Sequence, residues 1–388
     1  MRALTWQGVN QLSVETVPDP RIVNPHDVVL RVRRSAVCGS DLHFLGGYIP
    51  TMRAGDVIGH EFVGDVVEVG PEVTGVGVGD RVVVPSFIGC GACWHCSHDQ
   101  WSLCDNSHPK PELSEVALGY PTGGIYGYTH AFGGYAGSSA EYVRVPYGAT
   151  NCFVVPEGIT DDQAVFVSDA APTGWMGADF ADIQPGDTVA VWGCGGVGLM
   201  AQNAARLMGA GRVIGIDLLP ERLALAREIG SETVDLRDVD SLQETLRDLT
   251  GGRGPDSCIE AVGMEAQGRG LQGAYDKVKQ AVRLETDRAT PLREAVLACR
   301  KGGTVAVIGV WGLLDKFPMG AVMNKGLTVR SAQQHGQAYV PTLLEHVASG
   351  DLRTDLLATH VMPLEKGPEG YAMFKEKADG CVRAVFAP

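Results

Sequence analysis

The chain has 388 residues, 45% hydrophobic and 20% charged, and 46 Asp plus Glu against 32 Lys plus Arg give a formal net charge of −14. That length exceeds what one hydrophobic core usually organises, so two domains of roughly 150 to 200 residues are expected and a small disulfide-stapled scaffold is excluded. An acidic surface also argues against a nucleic-acid partner, since binding a polyanion would start with repulsion instead of counterion release.

The first ten residues hold no apolar run that could act as a signal peptide, and no later stretch offers 18 uncharged apolar residues, so a cytoplasmic protein with no membrane partner is expected. In that reducing compartment the ten cysteines read as thiols or metal ligands. Up to about residue 150 the chain reads as short strands. In 28–33, Val28, Leu30 and Val32 alternate with Val29, Arg31 and Arg33, the period of two of a half-buried antiparallel strand. Segments 62–69 and 81–84, punctuated by Gly64, Gly70, Gly75, Gly77 and Gly79, continue the pattern, and a β-barrel or sandwich is the natural package.

Near residue 172 the strands become continuously apolar and alternate with helical segments at the spacing of βαβ units. Strands are expected at 188–192, 212–217, 233–236, 257–262, 304–310 and 327–331, and helices from Val197 to Met208, at 220–229, 241–249 and 290–300. Pro220 suits a first helical turn and Gly230 a stop. The sum is a doubly wound parallel sheet. Residues 265–288, polar and rich in Gly and Gln, read as an insertion before the sheet resumes.

Three groups of residues carry chemistry. Cys90, Cys93, Cys96 and Cys104 lie in GCGACWHCSHDQWSLC, and four soft ligands around a tight loop with no open position describe a structural Zn²⁺ site. His95 and His98 read as solvated loop residues beside it. The second group is GCGGVG at 193–198, directly after an apolar strand and opening a helix. Glycine there permits a tight turn and close approach to a pyrophosphate, whose charge meets the unpaired N–H groups of the helix start. Asp217, 19 residues beyond Gly198 at the end of the next strand, can accept the ribose hydroxyls of NAD and would repel a 2′-phosphate. Arg222 follows it and is a candidate to flank the adenosine ribose. The third group is dispersed over CGSDLH at 38–43, GHE at 59–61 and SDAAPTG at 168–174, in which Cys38 and His60 are good Zn²⁺ ligands. A third ligand from elsewhere would leave one position for water or substrate.

Taken together, CGSD, GHE, the four-cysteine lobe and GCGGVG, in this order, resemble the zinc-containing medium-chain alcohol dehydrogenases over essentially the whole chain. The resemblance implies an α/β fold: a doubly wound Rossmann sheet (172–331, NAD-binding) plus a mainly β, GroES-like barrel catalytic domain (1–171 and 332–388) with the cysteine lobe at about 89–105. It implies two zinc ions per chain. Cys38 and His60 bind the catalytic one, and Asp169 stands where many relatives carry a third cysteine. Glu61 becomes an occasional ligand, and Asp41 holds the imidazole of His60. Ser40 takes the substrate proton, and the relay runs on through the cofactor ribose to His43 and solvent. The cofactor contacts fall to Gly193, Gly195, Gly196, Val197, Gly198, Asp217 and Arg222.

Asp169, YGYTHAFGGYAGSSAEYVRVPY and AVGMEAQGRG are more similar to the glutathione-independent formaldehyde dehydrogenase and dismutase branch. If the insertion covers the cofactor as it does there, NAD is held tightly. At Gly39 the liver-type pattern has an arginine, so one phosphate contact is missing here or supplied elsewhere. The implied activity is reversible hydride transfer between a primary alcohol, or an aldehyde hydrate, and NAD. A non-catalytic protein that binds NAD and zinc is the alternative from another class. Phe44, Tyr48, Phe87, Trp94 and Trp311 are candidates to line a substrate cleft, with His335 at its border. A homo-oligomer, tetramer or dimer, is expected.

Overall fold

In the computed structural model, which describes residues 1–265, 290–311 and 317–388, the alternation near residue 28 becomes the strand Val28–Ala36, central to the first unit. It pairs antiparallel with Glu61–Val69, from Val28 opposite Val69 to Ala36 opposite Glu61, with register slips after Val29 and Val32. Glu61–Val69 pairs in turn with Arg81–Val84, and Ala384–Ala387 returns to lie beside Val28–Ala36. The chain thus divides into a mainly β unit, Met1–Pro172 with Gln334–Pro388, and a second unit, Thr173–Gln333.

Alternate side chains of these strands fill the β unit: Val28, Leu30, Val32, Phe62, Val66, Val82 and Val84 pack with Ile88 and Tyr126. Each such burial contributes about 1.5 to 3 kcal/mol against solvent exposure. One register detail positions the site. Because Ala36 faces Glu61, the residues just past one strand, Val37 and Cys38, and the residue just before the other, His60, emerge at the same end of the sheet. Phe62 opposite Val84 brings Ser86 to that end as well. The approach of His60 depends on Gly59, whose φ of +97° and close packing leave a Cβ only 2.9 Å from the Ser139 nitrogen.

The second unit is a six-stranded parallel sheet in the order Glu232–Asp235, Arg212–Asp217, Thr188–Trp192, Ser257–Glu260, Thr304–Val307 and Thr328–Ser331. The order reverses direction at Thr188–Trp192, the first strand in sequence, as in a Rossmann fold. Trp192, Ile214, Ile216, Leu246, Leu292, Val296 and Val305 form its core. Two strands stop earlier than the sequence suggests. After Ser257–Glu260 the N–H groups of Val262 and Gly263 turn back to the Glu260 carboxylate at 2.8 Å each. After Thr304–Val307, Ile308 and Gly309 both donate to the Glu260 carbonyl, drawing the chain out of the sheet. The insertion expected at 265–288 lies, beyond Glu265, outside the described residues. Among the described residues no helix is long and apolar enough to cross a membrane.

Candidate functional site

Cys38, His60, Glu61 and Asp169 converge at the shared strand end of the β unit, each offering one ligand atom within 4.8 Å of the others. Asp169 arrives from the turn between the short 3-10 helix Val165–Val167 and the helix Ala170–Phe180. Its Oδ2 lies 3.4 Å from Cys38 Sγ and 3.9 Å from His60 Nε2. Tetrahedral zinc with ligands at about 2.0 to 2.3 Å sets neighbouring ligand atoms about 3.3 to 3.8 Å apart, so this spacing fits the ion.

The surroundings of the ring choose which nitrogen faces the cluster. His60 Nδ1 sits 3.2 Å from Asp41 Oδ1, which directs Nε2 toward Cys38 and Asp169. Asp41 is itself fixed, its Oδ2 accepting the Cys38 N–H at 3.0 Å and the Tyr371 hydroxyl at 2.9 Å. Burial disfavours a charged His60 ring, yet Asp41 lifts its pKa well above the ordinary value, so a metal must displace that proton. Burial and the Asp169 charge oppose the Cys38 thiolate, but Arg383 and His60 prevail and hold its pKa below that of an ordinary thiol.

Glu61 is buried, and burial pushes its pKa well up against the pull of Arg383, whose Nη1 is 3.4 Å away. Neither Glu61 oxygen accepts a hydrogen bond among the described residues. A thiol, an imidazole nitrogen, a carboxylate oxygen and this unsatisfied second carboxyl form a donor set that a divalent zinc ion satisfies.

Ser40 Oγ stands 3.4 Å from His60 Nε2, on the metal-facing side of the ring. His43, in the short helix Asp41–Leu45, is 3% exposed, so it is a buried group and does not reach solvent directly as the relay in the sequence reading requires. Tyr128 packs edge-on against Phe44 and Phe132, with its ring 6.1 Å from that of His60.

Cys90, Cys93, Cys96 and Cys104 form a second cluster. Sγ separations of 4.0 Å (Cys90 to Cys96) and 3.9 Å (Cys93 to Cys104) match the edge of about 3.8 Å expected for Zn–S bonds of about 2.3 Å. The backbone prepares the sulfurs: Ala92 and Cys93 N–H donate to Cys90 Sγ, as does the Asn106 amide. Burial opposes ionisation of Cys90, but these donors bring its pKa down to about 7. Burial and the neighbouring thiols drive Cys96 and Cys104 the other way, so four thiolates coexist only around a cation. His95 faces Gln100 and His98 stacks on Trp94, both turned to other partners.

In the second unit two glycines of GCGGVG are demanded by their surroundings. Gly193 has φ +92° and would put a Cβ 2.9 Å from Val262; at Gly198 a Cβ would fall 1.8 Å from the Gly193 oxygen. Gly195 precedes the helix Gly196–Leu207, and the space beside it holds only Arg222 Nη1 at 3.4 Å. A side chain at either tight position would force the turn away from its neighbours, so the glycines keep the loop as compact as a dinucleotide-binding turn must be. Val197 lies in the first turn of that helix. Asp217 ends its strand with Oδ2 accepting the Cys194 N–H at 2.7 Å and Oδ1 accepting those of Leu218 and Leu219. Arg222 carries a buried Nε that has no hydrogen-bond partner among the described residues.

Other candidates are placed elsewhere. Tyr48 and Trp94 are exposed, Phe44 and Phe87 belong to the β-unit core, and Trp311 donates to the Glu260 carboxylate in the second unit. His335 is buried against Ser102. Sequence reasoning passed over Ser86, Gln334, Tyr371 and Arg383, all of which touch ligand residues or their supports. None belongs to a spaced motif, and Gln334 stands 165 residues from the carboxylate it touches.

A family model described as "Alcohol dehydrogenase GroES-like domain" matches residues 24–157, and one described as "Zinc-binding dehydrogenase" matches 196–281. The chain is 38% identical over its whole length, and that of the relative, to the uncharacterized zinc-type alcohol dehydrogenase-like protein AdhB of Bacillus subtilis. It is 33% identical to the glutathione-independent formaldehyde dehydrogenase of Pseudomonas aeruginosa, over 96% of this chain and 94% of the other. Among solved structures, alcohol dehydrogenase TADH from Thermus sp. ATN1 is similar with a TM-score of 0.83 and 32% identity, covering 100% of this chain and 99% of that one. A Rossmann sheet, a GroES-like unit and two zinc-shaped ligand sets define a metal-dependent oxidoreductase. The chain belongs to the zinc-dependent medium-chain alcohol dehydrogenase family.

Proposed function

We propose that the protein is an NAD-linked dehydrogenase of primary alcohols, or of the hydrates of small aldehydes. Cys38, His60 and Asp169 are its catalytic zinc ligands, and Cys90, Cys93, Cys96 and Cys104 its structural ones. The observation that carries this reading is the convergence of a thiol, an imidazole and a carboxylate, with Glu61 beside them, within 4.8 Å. Three ligands for an ion that takes four is the pattern of catalytic sites.

When bound, zinc supplies Lewis acidity toward an alcohol oxygen and the dinucleotide accepts the hydride. The protein's residues orient the substrate and move its proton. The Ser40 hydroxyl, beside His60 Nε2, accepts the substrate proton while donating its own onward. His43, two residues past Asp41 and buried, is the next carrier, from which the proton passes on to solvent. Asp41, with Oδ1 3.2 Å from His60 Nδ1, orients the ring, and Glu61 is the occasional fourth ligand.

The Asp217 carboxylate supports NAD over NADP, because a 2′-phosphate would meet its charge. A homo-oligomer, dimer or tetramer, is supported by the edge strand Thr328–Ser331, exposed along its length, and by exposed Met319 and Met323 on the helix before it. A cytoplasmic setting accords with ten free cysteines.

Asp169 as third ligand, with the similarity to a formaldehyde dehydrogenase, favours a second reading in which NAD stays bound and two formaldehydes plus water give methanol plus formate. Incubation with formaldehyde alone separates the two. Equal methanol and formate without added NAD select the dismutase, whereas NAD-dependent oxidation of short alcohols with no such turnover selects the dehydrogenase. Inertness in both assays refutes the proposal.

A further inference from the structure

A carboxylate in the place of a thiolate ligand creates a problem that sulfur does not have, because its two oxygens can both bind the ion and so close the position a substrate needs. In this chain one of the two is already engaged. Asp169 Oδ1 accepts the Ser86 hydroxyl at 2.8 Å and the Gln334 amide at 3.0 Å, while Oδ2 is the oxygen turned to Cys38 and His60. The orientation of the amide is settled by its partners. The Gln334 nitrogen also lies 3.0 Å from the Ser168 carbonyl, and both that oxygen and the carboxylate can only accept.

We propose that Gln334 and Ser86 are positioning residues that hold Asp169 as a one-oxygen ligand and so keep the fourth metal position open. The inference rests on the reading of Asp169 as the third zinc ligand. Both donors are buried, Gln334 at 2% exposure and Ser86 fully, so water does not replace them when they are removed. An Oδ1 stripped of its donors is an unsatisfied buried anion, and the nearest cation available to it is the metal. The two donors come from opposite parts of the chain. Ser86 follows Arg81–Val84 and ties its own N–H to the Ser168 carbonyl at 3.2 Å, and Gln334 opens the return segment Gln334–Pro388. Their meeting on one carboxylate oxygen is therefore a feature of the folded β unit.

Cobalt(II) in place of zinc in the full-length protein reports the coordination number directly, since a four-coordinate ion absorbs visible light far more strongly than one with five ligands. Asp169→Ala, with cobalt confined to the cysteine lobe, gives the baseline to subtract. The expected result for Ser86→Ala with Gln334→Met is a several-fold weaker catalytic-site absorption and about 10-fold weaker binding of imidazole to the open position. If that double variant does not fold, Ser86→Ala alone, which removes one donor and adds no bulk, shifts both readouts in the same direction. An unchanged spectrum and imidazole affinity in these variants, with metal lost in Asp169→Ala, overturns the inference and leaves the ligand assignment standing. Full metal retention in Asp169→Ala overturns both.

Discussion

Replacing Gly198 by alanine tests the dinucleotide loop at its tightest point. The added Cβ would lie 1.8 Å from the Gly193 oxygen, and ordinary contact begins at 3.4 Å, so turn and helix must part by about 1.6 Å. Both partners are backbone, and neither can yield by a rotamer change. Overpacking of this kind costs about 1 to 3 kcal/mol, and the upper end lowers the melting temperature of the second unit by roughly 6 to 12 °C. A displacement of this size at a positioning loop also weakens cofactor binding by about 100-fold. Gly195→Ala is the control. Its Cβ meets only Arg222 Nη1 at 3.4 Å and its φ of −75° suits any residue, so stability stays within about 0.5 kcal/mol. NAD affinity nonetheless falls about 10-fold, because the methyl occupies the face on which the pyrophosphate approaches. Thermal unfolding and fluorescence titration with NADH measure both quantities. Wild-type melting and affinity in Gly198→Ala, or identical behaviour of the two variants, would refute the reasoning.

Three further outcomes are expected. Asp217→Asn keeps oxygen acceptance for part of the Cys194, Leu218 and Leu219 cluster but removes the charge, and the ratio of kcat/KM for NAD to that for NADP should fall by about 10-fold; an unchanged ratio removes Asp217 from cofactor choice. Cys38→Ser should abolish turnover with little change in melting temperature, whereas Cys93→Ser should unfold the protein first, and equal loss of stability in both would contradict the division of the two metal sites. His335 is buried with Nδ1 accepting from Ser102, and burial lowers its pKa to about 4 from an ordinary value near 6.5. The unfolded chain binds this proton more readily, so the stabilisation is complete above about pH 6.5 and is lost as pH falls toward 4, by no more than about 3 kcal/mol. His335→Asn should flatten that part of a pH–stability curve; an unaltered slope would mean that another group titrates there.

The fold was legible where one physical rule governs a run of residues. Val189–Trp192 and Val213–Ile216 are apolar throughout because they are buried on both faces of a parallel sheet, and the strands that hold them, Thr188–Trp192 and Arg212–Asp217, stand in the structure with the bounds read from the sequence. The strand expected at 304–310 ends at Val307, since the Glu260 carbonyl captures the next two N–H groups, a contact that no local pattern encodes. The same distinction runs through the site. Cys38, His60 and the four lobe cysteines stand in motifs whose spacing reflects their chemistry, and the structure gathers each set. Ser86, Gln334, Tyr371 and Arg383 act as single residues brought in by tertiary structure, and a lone buried serine or glutamine carries no signal along a sequence. His43 sits in a motif, but its 3% exposure is a product of tertiary packing, which the motif does not encode.

The most direct measurement is an anomalous difference map at the zinc edge from crystals grown with NAD. Two peaks per chain are predicted, one amid Cys90, Cys93, Cys96 and Cys104, the other within about 2.3 Å of Cys38 Sγ, His60 Nε2 and Asp169 Oδ2. A single peak in the cysteine lobe, from protein that is active and fully loaded with metal, would contradict the account.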